Sequence, residues 1–369
     1  RKYIEQKNGK ILGLTASPGS DESVIKQICE NLGIERVESR QRASDDVRPY
    51  LQELKSEVIE IEFPQEFVLI RNLLKEIYNK KIDELRNRSL IFGPATKKTI
   101  LELNFKLRKM LASGNNSFNV LRGLSVCAQA IKISHALELI ETQGITPLHN
   151  YIKSLFDQAN KGESKAVVQI IKAPQFTQAY IELMKIFGKK EHPKLDRLKE
   201  IIKDEITKNP KSKFIIFSQF RDTAVLITKS LNNIENIRAK VFVGQAKKGD
   251  TGLSQKEQQQ IINEFKLGEI NTITATSIGE EGLDIPEVSC VIFYEPIPSA
   301  IRKIQRAGRT ARLQPGKVII LMTKKTRDET NHYASLRKEK KMYSALDKIN
   351  NALSKSDNMP KKQSSLLDF

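Results

Sequence analysis

The sequence predicts an α/β protein: a mainly parallel sheet covered by helices, with an all-helical unit set into it. Three observations predict it. From Lys194 onward, short apolar runs alternate with amphipathic stretches, the pattern of strand–helix–strand crossovers. From Pro64 to about Gly188 the apolar residues recur at helical spacing instead, with no strand-like alternation. Residues 1 to about 50 return to mixed texture, so α/β segments flank the helical part.

Each element has its own signal. "KILGLT" (Lys10–Thr15) reads as a buried strand, Asp21 to Leu32 as a helix behind an Asp/Ser cap, and "ERVESR" as a short strand. As a lone strand cannot form a sheet, "KILGLT" implies a domain that precedes it or resides on another polypeptide. "QEFVLIRNLLKEIYNKKIDEL" places Phe67, Ile70, Leu74 and Ile77 on one helix face, while the apolar "LRGLSVCAQAIKISHALELIET" predicts a helix buried within a bundle. Turn signals stand at "ASGNNS" and "ANKGES". "LDRLKEIIKDEI" is helical and "KFIIFSQF" a buried strand. Then follow helix "RDTAVLITKSLNNI", strand "RAKVFVG", helix "SQKEQQQIINEF", and strands "NTITATS" and "SCVIFYEP". Near the end "IQRAGRTARL" (Ile304–Leu313) predicts an amphipathic helix, with Ala300, Ile304, Ala307 and Ala311 on one side. Gln305, Arg309 and Arg312 fall in the opposite arc, and Arg306 points elsewhere. Strand "KVIILMT" and a long helix from Asp328 to about Ser354 follow. That helix carries Leu336, Tyr343, Leu346, Ile349 and Leu353 on its apolar side, and a Lys-rich tail ends the chain.

Composition narrows the partners. The 369 residues carry a net charge of +18, which favours a polyanion, nucleic acid before membrane surface. Trp is absent and aromatics are 6%, so phosphate contacts should outweigh base stacking. Cys29, Cys127 and Cys290 are far apart and flanked by apolar residues, which fits small core side chains and no disulfide framework. The four histidines lack a second ligand at metal spacing, so no metal site is expected. Neither a transmembrane-length apolar run nor a signal peptide is present in the sequence, and the expectation is a cytoplasmic, nucleoid-associated protein.

Two stretches carry chemistry. In "ATSIGEEGLDIP" (Ala275–Pro286) a β run ends in Thr276 and Ser277. Gly279 and Gly282 then free the backbone for close approach to a phosphate, and Asp284 offers a carboxylate to a sugar hydroxyl. In "QRAGRTAR" the guanidiniums stay charged at any working pH and present planar forks to phosphate oxygens.

"TAS" at Thr15–Ser17, "FIIFSQFRDTA" at Phe214–Ala224, "ATSIGEEGLDIP" and "QRAGRTAR" resemble motifs III, IV, V and VI of superfamily 2 helicases, in order. "FSQFRDTA", "GLSQKEQQQIINEF", "ALELIETQGI" and "HPKLDRL" narrow the resemblance to archaeal Hef and its Fanconi-anaemia M-type relatives, over nearly all of residues 1–350. The resemblance implies the end of a first RecA-like domain in 1–50 and a helical insertion domain in 51–190. A second RecA-like domain would fill 191–353, and 354–369 would be a disordered tail. It implies ATP with Mg2+ in the cleft between two RecA-like domains, with Arg309 and Arg312 as arginine fingers assisted by Gln305. Gly282 and Asp284 would lie on the nucleotide's ribose side. Ser218, Arg221, Thr276 and Ser277 would grip a DNA backbone, and Thr15 and Ser17 would couple nucleotide state to domain closure. The insertion would touch forked or branched DNA.

The sequence holds no G-x-x-x-x-G-K-[ST] loop and no DEAH box on a strand, "DESV" at Asp21–Val24 reading as a helix cap. The expectation is therefore one half of an ATPase, inactive alone, whose other half is an upstream RecA-like motor domain. Gln363, Leu366 and Phe369 in "KKQSSLLDF" fit the spacing of sliding-clamp (PCNA) binding peptides. Two alternatives stay open: an RNA or double-stranded-RNA helicase of the Dicer or innate-sensor kind, and a non-catalytic DNA- and clamp-binding module.

Overall fold

A computed structural model describes residues 9–15, 17–42, 44–245, 252–280 and 283–355. Helix α1 (Glu22–Leu32) comes first and strand β1 (Leu54–Ile61) second. Six helices follow: α2 (Gln65–Asn87), α3 (Lys97–Ala112), α4 (Phe118–Thr142), α5 (Ile145–Asn160), α6 (Lys165–Ile171) and α7 (Pro174–Ile186). The α/β part then runs α8 (Pro193–Lys208), β2 (Phe214–Phe217), α9 (Arg221–Leu231), β3 (Ala239–Phe242), α10 (Gln255–Leu267) and β4 (Thr272–Ala275). It finishes with β5 (Cys290–Phe293), α11 (Ala300–Ala307), β6 (Gly316–Thr323) and α12 (Arg327–Lys355).

The strands form one six-stranded sheet in the order β1-β6-β5-β2-β4-β3, every pair parallel. Successive side chains along a strand point to opposite faces, so β2 feeds two cores at once. Phe214 and Ile216 join Leu198 and Ile202 of α8 and Ile227 of α9 on one face. Ile215 and Phe217 join Ile261, Ile262 and Phe265 of α10 on the other. This double burial is why the central strands read as continuous apolar runs.

In the bundle α4 is the central helix, largely buried beyond its exposed first turn, as its apolar sequence predicts. The bundle meets the sheet through a buried polar joint. Lys194, at the start of α8, pairs with Asp328 at the start of α12 and donates to Thr142 O of α4 at 3.1 Å. Asp328 also accepts the Thr323 N–H at 3.0 Å. Lys194 and Asp328 are fully buried, so each charge depends on the other.

The structure corrects the sequence reading in several places. Lys10–Thr15 is not a strand: Leu12 and Leu14 are exposed, and among the described residues no strand lies beside it to accept its hydrogen bonds. "ERVESR" is likewise without a ladder. Ile34 and Val37 pack against Met342, Leu346 and Ile349 of α12 instead, beside α1. Strand β1 is absent from the sequence expectation. It lies in the stretch assigned to the helical insertion but is the sheet's edge, paired from Leu54↔Gly316 to Ile61↔Thr323. Its exposed positions carry Lys55 and Glu57 on one face and Glu60 on the other, charges that keep an open edge from pairing further and that dilute its apolar pattern. The arginine helix is shorter than its wheel predicts. It stops at Ala307 with Gly308 as cap, because Thr310 leaves the helix to bridge Val288 and Ala311 takes a φ of 56°.

Candidate functional site

The site is built on the carboxyl ends of the strands, where a parallel sheet presents its loops. Strand β4 runs into Thr276, whose N–H donates to Phe242 O at 3.2 Å, and then into a tight turn over Ser277–Gly279. Thr276 is buried to within a few per cent and Ser277 is exposed. Gly279 serves packing here: a Cβ would come within 2.8 Å of Ala275 Cβ and 3.1 Å of Phe217 Cε1. The missing side chain lets the turn lie down on the sheet.

Glu280, the next residue, is the hub of the site. Its buried carboxylate accepts Arg302 through Nε at 2.7 Å and Nη2 at 2.7 Å, and Arg306 through Nε at 2.9 Å. Its backbone carbonyl accepts Arg309 Nη2 at 2.7 Å, while Arg309 Nη1 donates to Leu283 O at 3.0 Å. Three arginines of the α11 segment thus converge on one glutamate. Arg306, expected to point away, is fully buried, its guanidinium 4.8 Å from the Phe217 ring centroid and 5.5 Å from that of Phe293. Burial lowers its pKa, against the opposing pull of Glu280 and Glu295.

The loop after α11 is tied down from the other side. Val288 N–H donates to Arg309 O at 3.1 Å, and the Thr310 hydroxyl donates to Val288 O. Glu287 accepts the backbone N–H of Arg312 at 2.6 Å and that of Leu313 at 3.0 Å. Arg312 is left exposed, its Nε donating to Gly308 O at 2.8 Å. Arg309 and Arg312 are therefore not two equivalents on one helix face. Arg309 is buried with its fork on backbone carbonyls, and Arg312 faces solvent.

The remaining expected residues divide. Gln305 is half-buried on α11. Asp284 is exposed and pairs with Lys266 at 2.8 Å; that ammonium lowers its pKa first, with smaller help from Arg312 and Arg309, so it shares their face. Arg221 opens α9 and donates to Gly244 O at 3.1 Å, beside the β4 turn that carries Thr276 and Ser277. Ser218 does not join them. It is fully buried and its hydroxyl donates to Gln143 Oε1 at 3.4 Å, bracing the bundle on the sheet, so it presents nothing to a backbone phosphate. Thr15 Oγ1 accepts the Ser17 N–H at 3.1 Å, and Ser17 Oγ donates to Met342 Sδ at 3.0 Å, which docks this turn on α12. Gly282, Gln363, Leu366 and Phe369 lie outside the described residues.

Sequence reasoning missed Glu280, Arg302, Arg306, Glu287 and Glu295. The i, i+4 repeat of Arg302 and Arg306 was the available signal for a shared carboxylate. Glu295, directly after Tyr294 at the end of β5, is wholly buried and accepts the Gln219 N–H; burial pushes its pKa up to about 7.

Comparison with known proteins agrees with this fold. Residues 193–314 match the family "Helicase conserved C-terminal domain", and residues 66–192 match "Putative ATP-dependent RNA helicase, helical bundle". The crystal structure of the Pyrococcus furiosus Hef helicase domain is 42% identical with a TM-score of 0.69, over 89% of this chain and 68% of that one. A Methanocaldococcus jannaschii protein named "Putative ATP-dependent RNA helicase MJ1505" is 41% identical over 90% of this chain and 41% of its own length. The ATP-dependent DNA helicase mph1 of Aspergillus niger is 32% identical over 89% of this chain and 32% of its own. The chain thus spans about two-fifths of the archaeal relative and about a third of the fungal one. With a RecA-like α/β sheet, a helical bundle and the arginine-bearing loop in one chain, this protein belongs to the superfamily 2 helicases of the archaeal Hef and Fanconi-anaemia M type, as a C-terminal portion of one.

Proposed function

We propose that this chain supplies the second RecA-like half of an ATP-dependent DNA helicase or translocase that works on forked or branched DNA in replication-fork repair. The observation that carries the reading is the exposed Arg312 guanidinium on a loop braced by Glu287, beside Arg309 and Asp284 at the carboxyl edge of the sheet. A fixed cation at such an edge is suited to a phosphate held by an upstream motor domain. ATP with Mg2+ would bring a γ-phosphoryl group whose charge spreads onto equatorial oxygens during transfer. Arg312 would meet that charge, Arg309 would hold the Glu280–Leu283 backbone beneath it or turn outward to join it, and Gln305 would face the same nucleotide. This donor set fits the far side of a triphosphate: it offers a guanidinium and a carboxylate but no backbone cradle.

Arg221, Thr276 and Ser277, on adjacent strand ends, would follow one DNA strand by its phosphates. DNA is preferred to RNA because the mph1 relatives are named DNA helicases, while the M. jannaschii relative and the bundle family carry RNA helicase names and keep the RNA branch as the second reading; the charge of +18 suits either. The spacing of Gln363, Leu366 and Phe369 supports a clamp-binding peptide, and Phe369→Ala should abolish pull-down by the cognate clamp. Residence with the nucleoid follows from the same reading.

The test is hydrolysis of ATP by the chain within its full coding sequence. Forked DNA should stimulate it more than duplex RNA, and Arg312→Ala should lower the stimulated rate by about 10³-fold. Undiminished turnover in that variant would remove the finger role, and stronger stimulation by RNA would transfer the protein to the RNA branch. Binding to DNA should weaken steeply with salt.

A further inference from the structure

Beyond the carboxyl end of β6 an open groove of about 520 Å³ lies between the bundle and α12. It runs past Glu141 of α4, Lys325 of the turn after β6, and Arg327, Thr330, Tyr333 and Arg337 of α12. The acids here are engaged. Arg327 donates to Ser134 at 2.7 Å on the carbonyl and 3.3 Å on the hydroxyl, and its Nε lies 3.4 Å from Glu141. Glu329 accepts the Lys325 N–H at 2.8 Å, which holds that lysine at a φ of 56°, a left-handed conformation glycine would take more freely. What faces the groove is therefore cationic. Among the described residues neither the Lys325 ammonium nor the Arg337 guanidinium has a carboxylate partner, and both are exposed. Tyr333 is 46% exposed beside them. Thr330, Tyr333, Arg337 and Lys341 recur at helical spacing on one face of α12, with no acid among them.

We propose that this groove binds an unpaired stretch of nucleic acid, with one base stacked on Tyr333 and the flanking phosphates on Lys325 and Arg337. This deepens the nucleic-acid part of the function proposed above and does not depend on the finger role of Arg312. Size and chemistry select a single strand. A groove of about 520 Å³ has room for one nucleotide and not for a double helix, whose paired bases keep their faces in the stack. An aromatic face with a cation one helical turn on supplies the two contacts that bind single strands whatever their sequence. Tyr333 and Arg337 are about 6 Å apart along the helix axis, a step suited to neighbouring nucleotides of an extended strand. The groove is also distinct from the Thr276–Ser277 turn. In the order β6-β5-β2-β4 the two strand ends stand three strands apart, about 14 Å. Gln143, just past α4, rests on Ser218 at the β2 end between them. The groove thus takes the arm of a fork that the turn leaves free.

The test is fluorescence anisotropy with the full-length protein and two labelled probes, a DNA duplex with one oligothymidine arm and the same duplex forked into two. Wild type should bind the fork about tenfold more tightly than the one-armed duplex. Tyr333→Ala should lose most of that gain and Tyr333→Phe should keep it, while both bind the one-armed duplex as wild type does. Arg337→Ala should lose part of the gain and reduce the salt slope for the fork by about 0.7, the share of one phosphate contact, a slope that Tyr333→Ala leaves unchanged. These side chains are exposed, so the three variants should melt with wild type. Equal affinity of wild type and Tyr333→Ala for the fork overturns the groove, and so does a loss that falls on both probes alike. Where wild type gains nothing from the second arm yet binds the one-armed duplex, the groove fails and the nucleic-acid reading stands. Where it binds neither probe, both fail.

Discussion

Glu287 holds Arg312 by its backbone and not by its guanidinium: the carboxylate oxygen Oε1 accepts the Arg312 N–H at 2.6 Å, then that of Leu313 at 3.0 Å. A carboxylate facing successive N–H groups fixes the course of a loop while leaving the side chains to other tasks. Glu287→Ala should therefore raise amide exchange at Arg312 and Leu313 and cost about 1.5–3 kcal/mol in denaturant titration. Unchanged exchange at both amides would mean that the loop is held by Thr310 alone.

The two arginines of this loop should separate under mutation. Arg309→Ala strands the Leu283 and Glu280 carbonyls in a buried setting and should destabilise by about 1–3 kcal/mol. Arg312→Ala, on an exposed side chain, should stay within about 0.5 kcal/mol of wild type. Thermal or chemical unfolding of both variants checks the difference.

Gly279→Ala places a methyl 2.8 Å from Ala275 Cβ, on the central strand side, where little can give. The expected cost is about 1–3 kcal/mol, read from the denaturant midpoint.

The buried joint gives a sharper contrast. Lys194→Met leaves the Asp328 carboxylate buried without its ammonium and should cost about 3–5 kcal/mol. Asp328→Leu in the same chain should recover much of it, although the Thr323 N–H and Thr142 carbonyl lose their partners. A double-mutant cycle by urea unfolding measures the coupling.

Glu295 predicts a pH dependence. Burial raises its pKa from an ordinary 4.5 to about 7, so the folded chain binds a proton there that the unfolded chain releases. The associated stability is complete below pH 4.5 and is lost as pH climbs through about 7. Glu295→Gln should be more stable than wild type at pH 8, by on the order of 3 kcal/mol, and lose that advantage at pH 5. The difference between the two proteins isolates this group from His192, whose pKa burial depresses and which works in the opposite sense.

Much of the architecture was legible in the sequence because local signals agreed with the tertiary outcome. Asp21 caps α1 through the Ser23 N–H, and Ser254 forms a capping box with Glu257 at α10. The apolar runs "FIIF", "TITA" and "CVIF" became β2, β4 and β5 with every residue buried. What escaped was non-local. Strand β1 is specified by its partner β6 more than by its own half-charged pattern. A helical wheel drawn through Arg309 and Arg312 cannot register that Val288 competes for Thr310 and ends the helix first. At the site, the two phosphate-binding candidates were found as residue types, while the glutamates that aim them were not. Glu280 and Glu287 act through partners some 22 to 29 positions away, a separation no periodicity encodes.

The pairing of β1 with β6 has a consequence for biosynthesis. Since, among the described residues, the edge strand leaves the ribosome before the whole bundle and its partner β6 emerges after the other strands, this edge of the sheet cannot close until β6 is out. The helices of the bundle, whose contacts are local, can consolidate first and wait. Emergence of β6 then zips the edge shut, and this late, long-range step should govern how fast the sheet is completed.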